Sequence, residues 1–177
     1  MRACLIILVM SLCINGCANV TTDSVVWRAQ NVSLANYQSL QILDIFNVSG
    51  SPISNELLVY CTKRLRKELE SHGLEIVERH PETGNTLRVQ TKIVYFEFQR
   101  PVNGSYNSNA TVKESVVSLQ VVMLDEDLNR TVAEIKNVTN YGSGVYKLHD
   151  DKKNLFRRIA KISAKEIAKL IRSEDPQ

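Results

Sequence analysis

The 177-residue sequence predicts an α+β domain: a mainly antiparallel sheet of about five strands with two helices on one face, in the order β-α-β-β-β-β-α. Three patterns carry this prediction. Ile53, Leu57, Cys61, Leu65 and Leu69 recur every four residues, with Leu58 beside them, as one apolar helical stripe. Over 151–172, Phe156, Ile159, Ala160, Ser163, Ile167, Leu170 and Ile171 fall on one side of a helical wheel, flanked by Leu155 and Ile162. Between these helices Leu87, Val89, Thr91, Ile93 and Tyr95 alternate with Arg88, Gln90 and Lys92, the pattern of a strand with one wet face.

The remaining elements follow in order. Leu40-Gln41-Ile42-Leu43-Asp44-Ile45-Phe46 is short and apolar, and reads as a buried first strand. Asn47 to Ser51 turns the chain; Pro52 suits a first helical position with Ser51 as N-cap, and Ser54 is a second candidate cap. Gly73 ends the first helix, since glycine adopts positive φ without steric cost. Leu74 to Glu78 is a second strand, closed by His80-Pro81 and Thr83-Gly84-Asn85. Around Tyr95-Phe96-Glu97-Phe98 both faces turn apolar, which indicates a bulge or a segment covered on both sides. The stretch 99–110 has loop composition and reads as a hairpin tip or a binding loop. Val117, Leu119, Val121 and Met123 mark a fourth strand, Asp125 to Arg130 a turn, and Thr131 to Tyr141 a fifth strand. Gly142-Ser143-Gly144 reads as a flexible turn before the second helix, where Asp150 and Asp151 suit the cap and the dipole.

Ahead of the domain lies a different kind of segment. Arg2 precedes an unbroken apolar run, Leu5 to Met10, continued by Leu12, Cys13 and Ile14. This is the layout of a secretory signal peptide, well short of the roughly 20 residues that span a bilayer. The run ends at Ile14-Asn15-Gly16-Cys17, which resembles the lipobox of bacterial lipoproteins, although Asn15 is an unusual middle residue. The resemblance implies cleavage between Gly16 and Cys17, lipid on the Cys17 thiol, and a membrane as the first partner. Ala18 and Asn19 follow, not Asp, which by the sorting rule of such lipoproteins implies the outer membrane, with the domain facing the periplasm. The chain then divides into a signal peptide (1–16), a lipidated N-terminus and polar tether (17–36), one domain (37–172) and a short tail (173–177).

Cysteine usage agrees with that division. Cys4 and Cys13 leave with the signal peptide and lipid consumes Cys17, so Cys61 stands alone and the domain holds no disulfide. On an apolar stripe it reads as a small buried thiol. No nucleophile elbow, phosphate loop or paired-carboxylate motif occurs, and His72, His80 and His149 are dispersed near turns and helix ends. Gly142-Ser143-Gly144 lacks the third glycine of a phosphate cradle. Asp125-Glu126-Asp127 with Asn129 lacks the central glycine and distal glutamate of a calcium loop, and reads as a solvated hairpin tip. The sequence therefore calls for no metal and no cofactor.

One charge feature stands apart from a net charge of only +3. From Lys152 to Arg172 the second helix carries Lys152, Lys153, Arg157, Arg158, Lys161, Lys165, Lys169 and Arg172 against Glu166 alone. Two readings are open. The face is solvated, or Arg157, Arg158, Lys161, Lys165 and Lys169 contact an anionic envelope surface, whether lipid headgroup or acidic partner. Nucleic acid would meet the same electrostatics, but export argues against it.

The lipobox, the helix ending in Ser71-His72-Gly73-Leu74, Thr86-Leu87-Arg88-Val89 entering a meander, and the closing Ala-, Ile- and Lys-rich helix together resemble small Gram-negative envelope lipoproteins of the YajG-like type. Lipopolysaccharide-assembly lipoproteins share that layout, but this chain has Cys17-Ala18-Asn19-Val20 where their closest likeness begins Cys-Gly-Trp-His. The resemblance implies an envelope location and a protein or lipid partner, with no catalytic residues to carry over. The function expected is a non-enzymatic binding or accessory module. A structural subunit of an envelope transport or lipopolysaccharide-assembly complex would instead need a large exposed apolar patch. An enzyme would need a pocket of convergent polar groups, around Asp44 or His149 for example.

Overall fold

The computed structural model describes residues 24–78, 85–101, 113–144 and 150–173. Seven strands form one sheet: β1 (Val25–Arg28), β2 (Ser39–Ile42), β3 (Phe46–Asn47), β4 (Glu75–Val77), β5 (Thr86–Pro101), β6 (Lys113–Asp125) and β7 (Arg130–Gly144). A 3-10 turn, Leu34–Asn36, lies between β1 and β2, and the described residues also form two helices, α1 (Asn55–Ser71) and α2 (Asp150–Arg172). The sheet order is β1-β7-β6-β5-β2-β4, with β3 also paired to β5.

The α+β class with both helices on one face is as the periodicities indicate. The strands differ in number and direction. β5, β6, β7 and β1 are antiparallel, whereas β2 runs parallel to both β4 and β5, and β3 parallel to β5. The chain β2-β3-α1-β4 is thus a crossover unit grafted onto a meander, since parallel neighbours require a long connection. The single first strand expected over 40–46 is two short ones: the Leu43 amide still donates to the Val89 carbonyl at 3.0 Å, but the Ile45 amide turns away to the Thr62 hydroxyl of α1, also at 3.0 Å.

The tether expected over 17–36 is also shorter than that. Val25–Arg28 pair with Lys136 through Ala133 of β7, and Leu34 is fully buried. Four residues are too few for a visible period, yet two β-branched valines and a tryptophan suit the open edge of β7. Gly142-Ser143-Gly144, expected as a turn, pairs instead with Ser115, Glu114 and Lys113, so the partner strand overrides local propensity. Gln99 to Pro101 likewise continue β5; the rest of the 99–110 stretch lies outside the described residues.

Bulges shape the meander. On β5 the register shifts between Ile93 and Tyr95 and again between Glu97 and Arg100, where both faces of the sequence turn apolar. On β7 the register with β6 shifts between Leu119 and Val121, and Asn137 there adopts φ 59°. Asparagine tolerates that region better than most residues. The helix ends are local chemistry. Ser54 caps α1, its hydroxyl accepting the Leu57 amide at 3.4 Å, while Ser51 donates to the Phe96 carbonyl at 2.7 Å, which leaves Pro52 outside the helix. Gly73, at φ 73°, turns the chain out of α1.

The core lies between the helices and one sheet face. Leu57, Cys61, Leu65 and Leu69 of α1 and Phe156, Ile159, Ala160, Ser163, Ile167 and Ile171 of α2 meet Leu87, Val89, Ile93, Leu119, Val121, Met123 and Ile135 there, all buried. The rings of Phe96 and Phe156 meet at 5.5 Å and 59°, joining β5 to the first turns of α2. Burying the fourteen large apolar side chains among these, at about 1.5–3 kcal/mol each, is the main drive for docking both helices on the sheet.

Candidate functional site

Gly16 and Cys17 lie outside the described residues, as do His80 and His149. The basic face of α2 is described and is fully external. Arg157, Arg158, Lys161, Lys165 and Lys169 are all exposed, opposite the buried stripe. Among the described residues none of these five has an ion-pair partner. Burial on one side and aqueous solvation on the other follow from a single helical period, so the separation of faces is built into the sequence.

The two ends of the basic series behave differently. Arg172 donates to the His72 carbonyl, so its guanidinium satisfies the C-terminal end of α1 and ties the helices together. Lys153 pairs with Glu56 at 3.4 Å, and the Lys152 ammonium sits 4.8 Å from the centre of the Phe98 ring. These contacts line a cleft of about 510 Å³ bounded by Ser54, Glu56, Leu57, Phe98, Gln99, Lys152 and Lys153. Its cations are already engaged, which leaves the five middle residues as the open charge.

Strand β1 holds α2 along its flank. The Ser24 hydroxyl donates to Glu166 Oε2 at 3.4 Å, and Arg28 Nη1 and Nη2 reach the Ser173 carbonyl at 3.3 and 3.4 Å. Sequence reasoning missed this clamp, because Glu166 reads as a lone acid in a basic helix and Arg28 as part of a tether. β1 also shows Val25, Val26 and Trp27 about half exposed, and Tyr95 and Tyr141 are exposed elsewhere on the sheet.

Asp44 is exposed and 3.7 Å from the Arg66 guanidinium, away from the cleft. Among the described residues no three metal-ligating side chains gather, and none of the described helices is long and apolar enough to cross a membrane. Cys61 is fully buried, with its thiol directed at the Phe156 carbonyl 3.8 Å away, and burial pushes its pKa up to about 12. That favours the unreactive thiol over the thiolate. Asp125 departs from the solvated hairpin tip expected of 125–127. It is buried, accepting the Tyr37 hydroxyl and, at 3.0 Å, the Leu128 amide. Burial and that carboxylate together raise the Tyr37 pKa. The pair pins the segment before β2 to the β6–β7 hairpin, a structural use of acid and phenol.

No protein-family model matches the sequence, and no curated protein matches it. Solved structures do match in fold. The hypothetical protein CT253 from Chlamydia trachomatis is 12% identical, with 78% of this chain and 99% of that one covered and a TM-score of 0.52. Protein XCC0632 from Xanthomonas campestris is 11% identical, with 76% and 85% covered and a TM-score of 0.50. Lipoprotein GNA1162 from Neisseria meningitidis is 10% identical, with 73% and 97% covered and a TM-score of 0.45. For CT253 and XCC0632 the likeness is one of fold alone, and it does not point to a YajG-type relationship in particular.

Proposed function

We propose that the chain is a lipid-anchored, non-enzymatic accessory or structural module of the bacterial cell envelope, fixed through Cys17. The carrying observation is the order charge, apolar run, Ile14-Asn15-Gly16-Cys17 at the N-terminus. A lipoprotein peptidase needs a small residue beside the bond it cuts, and only a thiol forms the diacylglyceryl thioether. Gly16 and Cys17 supply both. Absence of Asp after Cys17 favours the outer membrane, with the domain on its periplasmic side.

Within this reading a structural subunit is the sharper form, and the exposed apolar residues support it. Val25, Val26 and Trp27 on the strand β1, which among the described residues pairs only with β7, offer both apolar surface and a backbone edge that no other described strand takes up. Open strand edges accept another strand readily. The test of the anchor is Cys17→Ser with radiolabelled palmitate. The variant is expected to lose the label and to accumulate as uncleaved precursor, since cleavage follows thioether formation. Equal label in variant and wild type would overturn the proposal.

A further inference from the structure

We infer that the outward side of α2 docks on anionic phospholipid headgroups of the membrane that holds the anchor; this rests on the lipidation of Cys17 proposed above. The geometry begins at Ser24, whose hydroxyl meets Glu166 in the C-terminal half of α2, and at Arg28, which holds the Ser173 carbonyl just past its end. The start of the described domain is therefore fastened along the flank of that helix. Seven peptide steps separate Cys17 from Ser24, and fully extended they span at most about 25 Å. A lipid on Cys17 keeps the flank of α2 within that distance of the bilayer surface.

The charge lies next to that flank. Lys169 is three residues on from Glu166, hence its neighbour on the helix surface, and Lys165 adjoins Glu166 in sequence. Arg157, Lys161, Lys165 and Lys169 stand four apart in one row with Arg158 beside it, all exposed and without ion-pair partners among the described residues. Like charges at this spacing oppose helix formation, and an anionic surface removes the repulsion. The exposed side of α1 differs, mixing Lys63 and Lys67 with Glu56 and Glu70. The uncovered face of the sheet is mixed too: Lys136 pairs with Glu134 at 3.3 Å, and Arg88 pairs with Glu126. Among the described surfaces of α1, α2 and the outer sheet face, the outward side of α2 is the one of a single sign. An acidic protein would match the same charge but gives no role to the short distance from Cys17.

The experiment is lysine acetylation of the full mature protein, first shown by intact mass to carry lipid on Cys17. The protein is reconstituted in vesicles of phosphatidylcholine alone or with about one third phosphatidylglycerol. Lys161, Lys165 and Lys169 are expected to acetylate about fivefold more slowly on the anionic vesicles. Lys63, Lys67 and Lys136 should be unchanged, and the difference should vanish in 1 M salt, where screening acts within about 3 Å. Equal rates on both vesicles, or uniform slowing of all six lysines, would overturn the docking while leaving the anchor intact. Protection in native envelope membranes but not on anionic vesicles would also overturn it and assign the face to an acidic protein. A mass without lipid would overturn the anchor, and the docking with it.

Discussion

Cys61 shows how far a single side chain follows from its place on a stripe. Its position among leucines four residues apart indicates burial, and the structure leaves it no exposure, with a pKa raised to about 12 by desolvation. The ordinary thiol titrates near 9, so between about pH 9 and 12 the folded state keeps a proton that the unfolded chain has lost. Unfolding free energy then falls as pH rises through that window, by about 1.4 kcal/mol per pH unit from this one group, with no contribution below it. Denaturant titrations across alkaline pH should show that extra slope in the wild type and not in Cys61→Ala; parallel curves would contradict it. Arg172 is the opposite case. A wheel places it on the basic face, but its long side chain turns to the His72 carbonyl, because a wheel gives a direction and not a reach.

Whole elements test the assignment of faces. Leu65 is fully buried at the centre of α1, so Leu65→Ala should cost about 2–5 kcal/mol through lost burial and a residual cavity. Lys161, exposed on the far side of α2, should change stability by no more than about 0.5 kcal/mol on substitution by Ala. Urea midpoints ranked in the reverse order would contradict the packing described. Both helices, and the strands β5, β6 and β7, were legible because periods of 3.6 and 2 repeat in them over many residues. β1 was not, since four residues without a flanking period acquire strand structure only from the free edge of β7. The parallel direction of β2 and β4 was equally hidden, as strands of four and three residues are too short to show a period and the crossover is a property of topology. Of the candidate site, the row of cations was readable from spacing alone. The clamp of Ser24 and Arg28 on α2 was not, being made between residues more than 140 apart in the chain.

At the scale of the whole molecule the parts have a consistent polarity. The helical layer and the inner sheet face close one core, the outer strand β1 ties the N-terminal end of the domain to α2, and the open cations lie beside that tie. Each of these features acquires a common purpose if lipid on Cys17 draws this side to a bilayer. The most direct measurement is the intact mass of the protein extracted from bacterial membranes, together with the mass of its N-terminal peptide. The expected result is a chain that begins at Cys17 and is heavier than its sequence by a diacylglyceryl group and fatty acyl chain. A chain that begins elsewhere, or one that begins at Cys17 with a free thiol, would contradict the anchor on which the account of this protein rests.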